Sequence, residues 1–376
     1  MQSKKSILHR VVEKLLWTTK KALPKKYHYL VYYLLDFIDQ CKLVSLREQA
    51  YCLLRGIAPE ELLAYDFKTY KPTDYLRNID NYKKGMLNGD INNILLDKLL
   101  FEKELKPIVG ESVVLNVVEN IAHVKNGILF PINNLSSEDI HNTLYTVLES
   151  SDLILKPRTG SKGRGIHLVG AKNREDGLYR YNEKTSVRWE SLLERIKNLD
   201  DYIIQKRFIQ EGFSQEYYPK SLNTLRIATM IDPISKQPFI AYAVHRFGSD
   251  KTGIMDNYMQ GGITAEINPD NGTMGKGRSL SREGKKYIYT HHPVSNKRIE
   301  HSTIPHWQTL KSELFSLINR FPDLKYVGWD IVVSNDQFFF LEGNNCPGLG
   351  SIQIHGPLKR NKSVWDFFEY YNFIKS

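Results

Sequence analysis

The sequence predicts an α+β fold, and three observations carry that prediction. Residues 1–90 show helical apolar periods; short segments rich in Val, Ile, Tyr and Phe follow from residue 91; and a hairpin near the C-terminus joins two such segments. The chain has 376 residues, enough for two or three packed units around a large core. Apolar residues make up 41% and charged residues 25%, the balance of a globular protein rather than of a disordered or membrane-spanning one.

The helical stretch comes first. Apolar periods run through Leu8–Leu23, Tyr27–Cys41 and Val44–Leu54, with breaks at Pro59 and Pro72. Gly85 and Asn88-Gly89 mark a boundary, so three units are expected: a helical region over 1–90, a second unit over 91–212 and a third over 213–376. Strands are expected near 112–117, 153–156, 165–169, 202–205, 225–231, 239–244, 326–333 and 338–341. Helices are expected over 91–105, 137–150, 189–199 and 307–320, the second opening at Ser136-Ser137. The polar, Gly-rich stretch 247–306 is read as loops that line something.

The basic balance, Lys and Arg 52 against Asp and Glu 42, invites acidic partners. Part of it is local. Residues 1–26 carry Lys4, Lys5, Arg10, Lys14, Lys20, Lys21, Lys25 and Lys26 against Glu13, with Leu8, Val11, Val12, Leu15 and Leu16 at helical spacing. This is a basic amphipathic helix, which either packs on the rest of the protein or rests on an anionic membrane surface. No RNA-recognition motif is present, and no nucleic-acid partner is expected. The apolar run Tyr29–Phe37 is too short to span a bilayer. Cys41, Cys52 and Cys346 form no CxxC pair, which fits a reduced, cytoplasmic setting. His291, His292 and His301 lack metal spacing and are read as solvated loop residues.

Three segments carry chemistry. In Tyr326-Val-Gly-Trp-Asp330 and Phe338-Phe-Phe-Leu-Glu342-Gly-Asn344, an Asn335-Asp336 turn lets Asp330 and Glu342 lie on neighbouring strands. Asn344, two residues past Glu342, shares its face. Two carboxylates and an amide oxygen are hard ligands suited to Mg²⁺, and they leave coordination positions for water and phosphate. In Leu153-Ile-Leu-Lys156-Pro157 a strand ends in a lysine, and Gly160, Ser161, Lys162, Gly163, Arg164 and Gly165 follow. Glycines let backbone N–H groups approach phosphate oxygens. The spacing matches neither a Walker loop nor the dinucleotide fingerprint. In Tyr202-Ile-Ile-Gln205-Lys206-Arg207-Phe208, an apolar strand runs into a polar stretch whose backbone can pair with a base.

These segments, in this order over residues 91–358, resemble the ATP-grasp superfamily. The resemblance implies two α+β subdomains gripping ATP behind the helical N-terminal region. It implies that Lys98 and Lys156 contact phosphates, that loop 160–165 is a lid, that Gln205, Lys206 and Phe208 hold adenine, and that Asp330, Glu342 and Asn344 bind two Mg²⁺ ions. A narrower likeness, in Ser221-Leu-Asn-Thr-Leu-Arg226, His245-Arg246-Phe-Gly and Asp256-Asn257-Tyr-Met-Gln-Gly261-Gly262, is to the sugar-transfer-associated ATP-grasp proteins of bacterial surface-polysaccharide assembly. It implies a ligase that activates a sugar-linked carboxylate as an acyl phosphate and passes it to an amine. Arg226 and Arg246 are then the expected catalytic arginines, and Asn257, Gly261 and Gly262 the expected substrate contacts. Two other readings stay open: a small-molecule kinase with the same nucleotide site, and a non-catalytic nucleotide-binding scaffold at the membrane. The better-known ligases carry an α/β domain where this chain reads as helical.

Overall fold

The computed structural model describes residues 7–84, 87–132, 139–160, 163, 165–182, 185–253, 256, 258–281 and 283–374. Ser161, Lys162 and Asn257 lie outside the described residues, as do Ser136 and Ser137. The expected helical start is borne out: helices span Ile7–Ala22, His28–Gln40, Leu46–Arg55, Pro59–Ala64 and Asn78–Lys84. Ser45 and Glu48 cap the third of these reciprocally, and Gly56 ends it at φ 66°.

Strand β1 (Leu115–Val117) precedes β2 (Ala122–Lys125), β3 (Ile128–Pro131), β4 (Leu153–Pro157), β5 (His167–Val169), β6 (Tyr179–Tyr181), β7 (Thr185–Val187) and β8 (Tyr202–Lys206). Beyond them come β9 (Thr224–Ile231), β10 (Pro238–Phe247), β11 (Ile263–Ile267), β12 (Met274–Leu280), β13 (Lys286–Tyr289), β14 (Tyr326–Ser334) and β15 (Gln337–Asn344). They form two sheets, β3-β2-β8-β4-β5-β6-β7 and β1-β15-β14-β9-β10-β11-β12-β13. β1 pairs in parallel with β15, so a strand from the 91–212 stretch joins the second sheet. The smaller sheet packs helices Asp139–Leu148 and Trp189–Lys197 against Leu153, Leu155 and Ile204.

The larger sheet has two unlike faces, as alternation along a strand requires. Leu225, Ile227, Trp329, Ile331 and Phe340 point to one side, under helices Lys98–Val109 and Trp307–Asn319. Ala228, Met230 and Tyr326 point to the other, which helix Lys362–Tyr370 and the N-terminal region partly cover. The stretch 247–306 departs from the loop reading, because it supplies β11, β12 and β13, which extend the sheet antiparallel to β10. Alternation was hidden there by glycines such as Gly277, where a Cβ would lie 3.0 Å from Ile263 and Ile299. His291 and His301 are exposed, but His292 is buried. Its Nε2 donates to the Gly248 carbonyl at 3.0 Å, and burial lowers its pKa.

The N-terminal helices are tied to the larger sheet through side chains. The Asn88 amide bridges the backbone N–H and carbonyl of Tyr326 on β14, at 3.1 and 2.9 Å. Gln353, fully buried, accepts from the backbone N–H groups of Leu76 and Leu358 at 2.9 and 3.2 Å. It donates to the Tyr65 hydroxyl at 2.6 Å and the Leu76 carbonyl at 2.9 Å. Replacing Gln353 by Leu keeps the bulk but leaves two buried N–H donors without acceptors. Gln353→Leu is expected to cost about 2–4 kcal/mol, read as a lower midpoint in urea. An unchanged midpoint would mean that this junction does not hold the N-terminal region in place.

Candidate active site

Four antiparallel strands bring the C-terminal half of the site together. Asp330 on β14 is the register partner of both Glu342 on β15 and Arg226 on β9, and Arg246 on β10 is the partner of Thr224. Two β-bulges make these side chains share a face. One interrupts β14–β15 between Asp330 and Ile331, where Leu341 is the extra residue, and one interrupts β9–β10 between Ile240 and Tyr242. Without the first, Glu342 and Asn344 would point into the apolar core beside Phe340. The hairpin turn itself is Asn335-Asp336, both at positive φ (46° and 62°), as a two-residue turn of this hand needs.

Asp330 is buried, and two guanidinium groups surround it. Arg226 forms a fork with both carboxylate oxygens, its Nη2 donating to Oδ2 at 2.8 Å, and Arg246 Nη2 reaches Oδ2 at 3.1 Å. Burial alone would raise Asp330, but the two arginines hold its pKa below the ordinary carboxylate value. Burial likewise opposes the Arg226 charge, and Asp330 more than offsets it, so the Arg226 pKa is raised. Arg246 also meets Asp256 at 3.4 Å and the Thr224 hydroxyl at 2.9 Å. Thr224 in turn donates to Asp256 through both its backbone N–H, at 3.1 Å, and its hydroxyl. Burial raises Asp256, with Arg246 opposing.

The other half comes from the helix start at Lys98 and from β4. Asp97 caps that helix by accepting from the backbone N–H groups of Leu99 and Leu100. Its carboxylate also takes Arg158 Nε on both oxygens at 2.9 Å, and the Lys98 N–H donates to the Arg158 carbonyl at 3.1 Å. Lys98 is thus fixed beside Lys156, which lies on the same strand as Arg158's approach. Lys98 Nζ donates to the Gly160 carbonyl at 3.1 Å, at the base of the glycine loop. Gly160, Gly163 and Gly165 all have positive φ. At Gly165 a Cβ would stand 2.8 Å from the Tyr202 hydroxyl, so only glycine fits.

Lys156 is the least comfortable charge in the site. Burial lowers its pKa to about 8, Glu342 pulls it back up, and Lys98 pushes it down further. Lys98 is lowered by burial and raised by Glu342 in the same way. The Glu342 carboxylate on β15 thus acts electrostatically on both lysines. Glu102, one helical turn from Lys98, is a further acid near Lys156. Its spacing from Lys98 was visible in the sequence, but nothing there linked it to β4.

The remaining expected residues fall as follows. Gln205 is buried, opposite Ile154 on β4, and its amide donates to the Val118 carbonyl at 3.4 Å. Lys206 is exposed, and the Phe208 ring lies 4.7 Å from Phe339, bridging the two sheets. The Gly261 carbonyl accepts from Ser249 Oγ at 2.9 Å, and Gly262 is buried at the start of β11. Asp256 and Thr224, which orient Arg246, went unselected in the sequence although both stand within the quoted motifs. The donor set fits a hard divalent cation. Asp330 and Glu342 are cross-strand partners, and the Asn344 amide nitrogen is turned to the Gly328 carbonyl at 3.4 Å, leaving its oxygen for a ligand. Among the described residues no three His, Cys, Asp or Glu side chains group to enclose a metal ion, so protein atoms would fill only part of the shell.

Two sheets that face each other across paired lysines and a carboxylate hairpin define the ATP-grasp class. A model of the sugar-transfer associated ATP-grasp family matches residues 77–364, and the chain belongs to that family. No curated protein matches the sequence. Among solved structures, N5-carboxyaminoimidazole synthetase from Staphylococcus aureus is 12% identical, over 73% of this chain and 51% of that one, with a TM-score of 0.39. A RiPP-associated ATP-grasp ligase from Chryseobacterium gregarium, in complex with ADP and a leader and core peptide, is 13% identical, over 95% and 73%, with a TM-score of 0.37. D-Alanine-D-alanine ligase from Helicobacter pylori is 11% identical, over 73% and 60%, with a TM-score of 0.38. The chain spans about half the length of the N5-carboxyaminoimidazole synthetases it matches.

The buried arginine–carboxylate fork makes a stability prediction independent of any activity. Asp330→Ala leaves Arg226 as a buried cation missing its main partner, at a cost of about 3–5 kcal/mol in chemical denaturation. Adding Arg226→Met to that variant should restore much of the loss. A cost below about 1 kcal/mol for the single change would show that the fork contributes little to stability.

Proposed function

We propose that this protein is an ATP-dependent carboxylate–amine ligase that forms an amide through an acyl phosphate. The substrate would be a sugar-linked carboxylate, joined to an amino acid or amine in surface-polysaccharide assembly. The observation that carries the reading is Glu342, the cross-strand partner of Asp330 and a charge that raises both Lys98 and Lys156. In this reading the lysines would meet phosphate, and the carboxylates would meet Mg²⁺.

In this reading Lys98 and Lys156 neutralise the phosphates of ATP, and the glycine loop from Gly160 to Gly165, with Ser161 and Lys162, closes over them. Gln205, Lys206 and Phe208 hold the adenine end. Asp330, Glu342 and Asn344 would hold Mg²⁺, which would supply charge neutralisation to the phosphates when bound. A substrate carboxylate oxygen attacks the γ-phosphorus, and ADP leaves. The amine then attacks the acyl carbon, a tetrahedral oxyanion forms, and orthophosphate departs as the amide closes. Arg226 and Arg246 would stabilise that negative charge, with Asp256 and Thr224 orienting Arg246. Asn257, Gly261 and Gly262 belong to the loop that would contact the sugar-linked substrate.

The test is orthophosphate release from ATP and Mg²⁺ with candidate amino acids and uronic-acid sugars, followed by product mass analysis. Release that needs both substrates, with a product lighter than their sum by one water, is the expected result. A stable phosphorylated substrate without condensation would make the protein a kinase instead. Glu342→Gln is expected to lower kcat about 100-fold or more. Undiminished turnover in that variant would remove Glu342 from the site.

Lys156 gives a pH prediction. Free Lys156 titrates near 8, and bound phosphate raises its pKa. Above that pH, ATP binding must therefore take up a proton, and affinity falls as pH rises; below it, both vanish. Calorimetry in buffers of different ionisation enthalpy reads the uptake directly. Lys156→Met should abolish it, and uptake that persisted in this variant would assign the proton to another group.

A further inference from the structure

Nineteen large apolar side chains are exposed among the described residues, and eight of them fall between Val11 and Leu54. They are ordered along two helices. On Ile7–Ala22, Val11 and Leu15 are exposed four residues apart, Leu15 by 61%. On Leu46–Arg55, Leu46 and Leu54 are exposed by 82% and 89%, with Ala50 exposed between them and Leu53 alongside. These spacings keep each set on one side of its helix. Neighbouring positions do the packing: Val12 and Leu16, flanking the stripe, are half-buried in the first helix, and Cys52, opposite the stripe, is fully buried in the second. Folding therefore leaves both apolar stripes facing outward.

The surrounding charge says what chemistry would cover them. Between Lys14 and Arg55 seven cationic side chains are exposed, against one exposed acid, Glu48, whose carboxylate is engaged by Ser45. Trp17, Tyr27 and Tyr32 are exposed in the same region. Lys20 stands 4.8 and 4.5 Å from the rings of Trp17 and Tyr32. Leucines flanked by cations, with amphipathic aromatic rings at their border, match an interface of acyl chains and anionic headgroups.

We infer that the helices Ile7–Ala22 and Leu46–Arg55 seat this protein on an anionic lipid bilayer surface. The leucines enter the acyl boundary, and the cations meet lipid phosphates. This deepens the proposed function, because a sugar carried on a lipid would be presented at that surface. It is tested without turnover, so either reading can fail alone.

The experiment is co-sedimentation of the full chain with vesicles of phosphatidylcholine alone and of phosphatidylcholine with phosphatidylglycerol. The protein should pellet with the anionic vesicles only, and added salt should release it. Leu15→Glu and Leu54→Glu, at side chains 61% and 89% exposed, should each weaken binding about tenfold while keeping the wild-type thermal melt. Absence of pelleting with anionic vesicles would overturn the inference, as would equal pelleting with both kinds or wild-type binding by both variants. So would a dimer in solution that Leu54→Glu splits, since a second copy would then be what covers the stripe.

Discussion

The arrangement around Asp330 depends on one buried ion pair. A carboxylate in a sheet interior is tolerated only with full compensation, and Arg226 provides it as a two-pronged fork from the next strand. That fork brings further partners with it. Arg246 shares Asp330 and so must lie on the same face, and Asp256 and Thr224 must follow to satisfy Arg246. Each member of this cluster thus finds its partners on one face of the sheet, opposite the apolar core. A pair of this kind adds little net stability over an apolar substitute; what the cluster fixes is the position of three strands, β9, β10 and β14, relative to one another.

The N-terminal helices complete the site from behind. Asn81 donates to the Pro347 carbonyl at 2.9 Å, and Gln353 ties Tyr65 and Leu76 to the helix that follows. Pro347 lies over Gly328, where a Cβ would stand 2.7 Å from the proline ring. The segment after Asn344 is therefore clamped between the sheet and the helical region. Glu60, on the fourth helix, reaches so close to Gly350 that a side chain there would meet its carboxylate at 2.8 Å. In this protein the region before residue 91 acts as a support for the hairpin.

The larger features were legible in the sequence because they rest on local signals. Helical periods, the Asn335-Asp336 turn and the lysine ending β4 each declare themselves within a few residues. The strands of 263–289 were not, because their glycines and charged residues mask alternation and they are held by neighbours far along the chain. His292 was misread for the same reason: a polar local sequence says nothing of the Gly248 carbonyl that buries it. Glu102, Thr224 and Asp256 carry no local signal, because each acts through a partner on another element. Lys98 stands out through a likeness to other proteins, yet its placement has a local cause in Asp97, which caps its helix and grips Arg158.

The bulge at Leu341 has a consequence in arithmetic. Around a two-residue turn, partners in an unbroken antiparallel ladder are always an odd number of positions apart. Asp330 and Glu342 are twelve apart, so they can face each other only if one residue drops out of the pairing. The parity of that interval is a property of the bare sequence. An even interval in any chain that keeps this turn requires a bulge between the two acids, and an odd interval dispenses with it. Losing any one residue of β15 between the turn and Glu342, Leu341 included, would equalise the two arms and leave the acids opposed without a bulge, whereas losing one from β14 would leave arms of three and five residues and oblige the ladder to drop two.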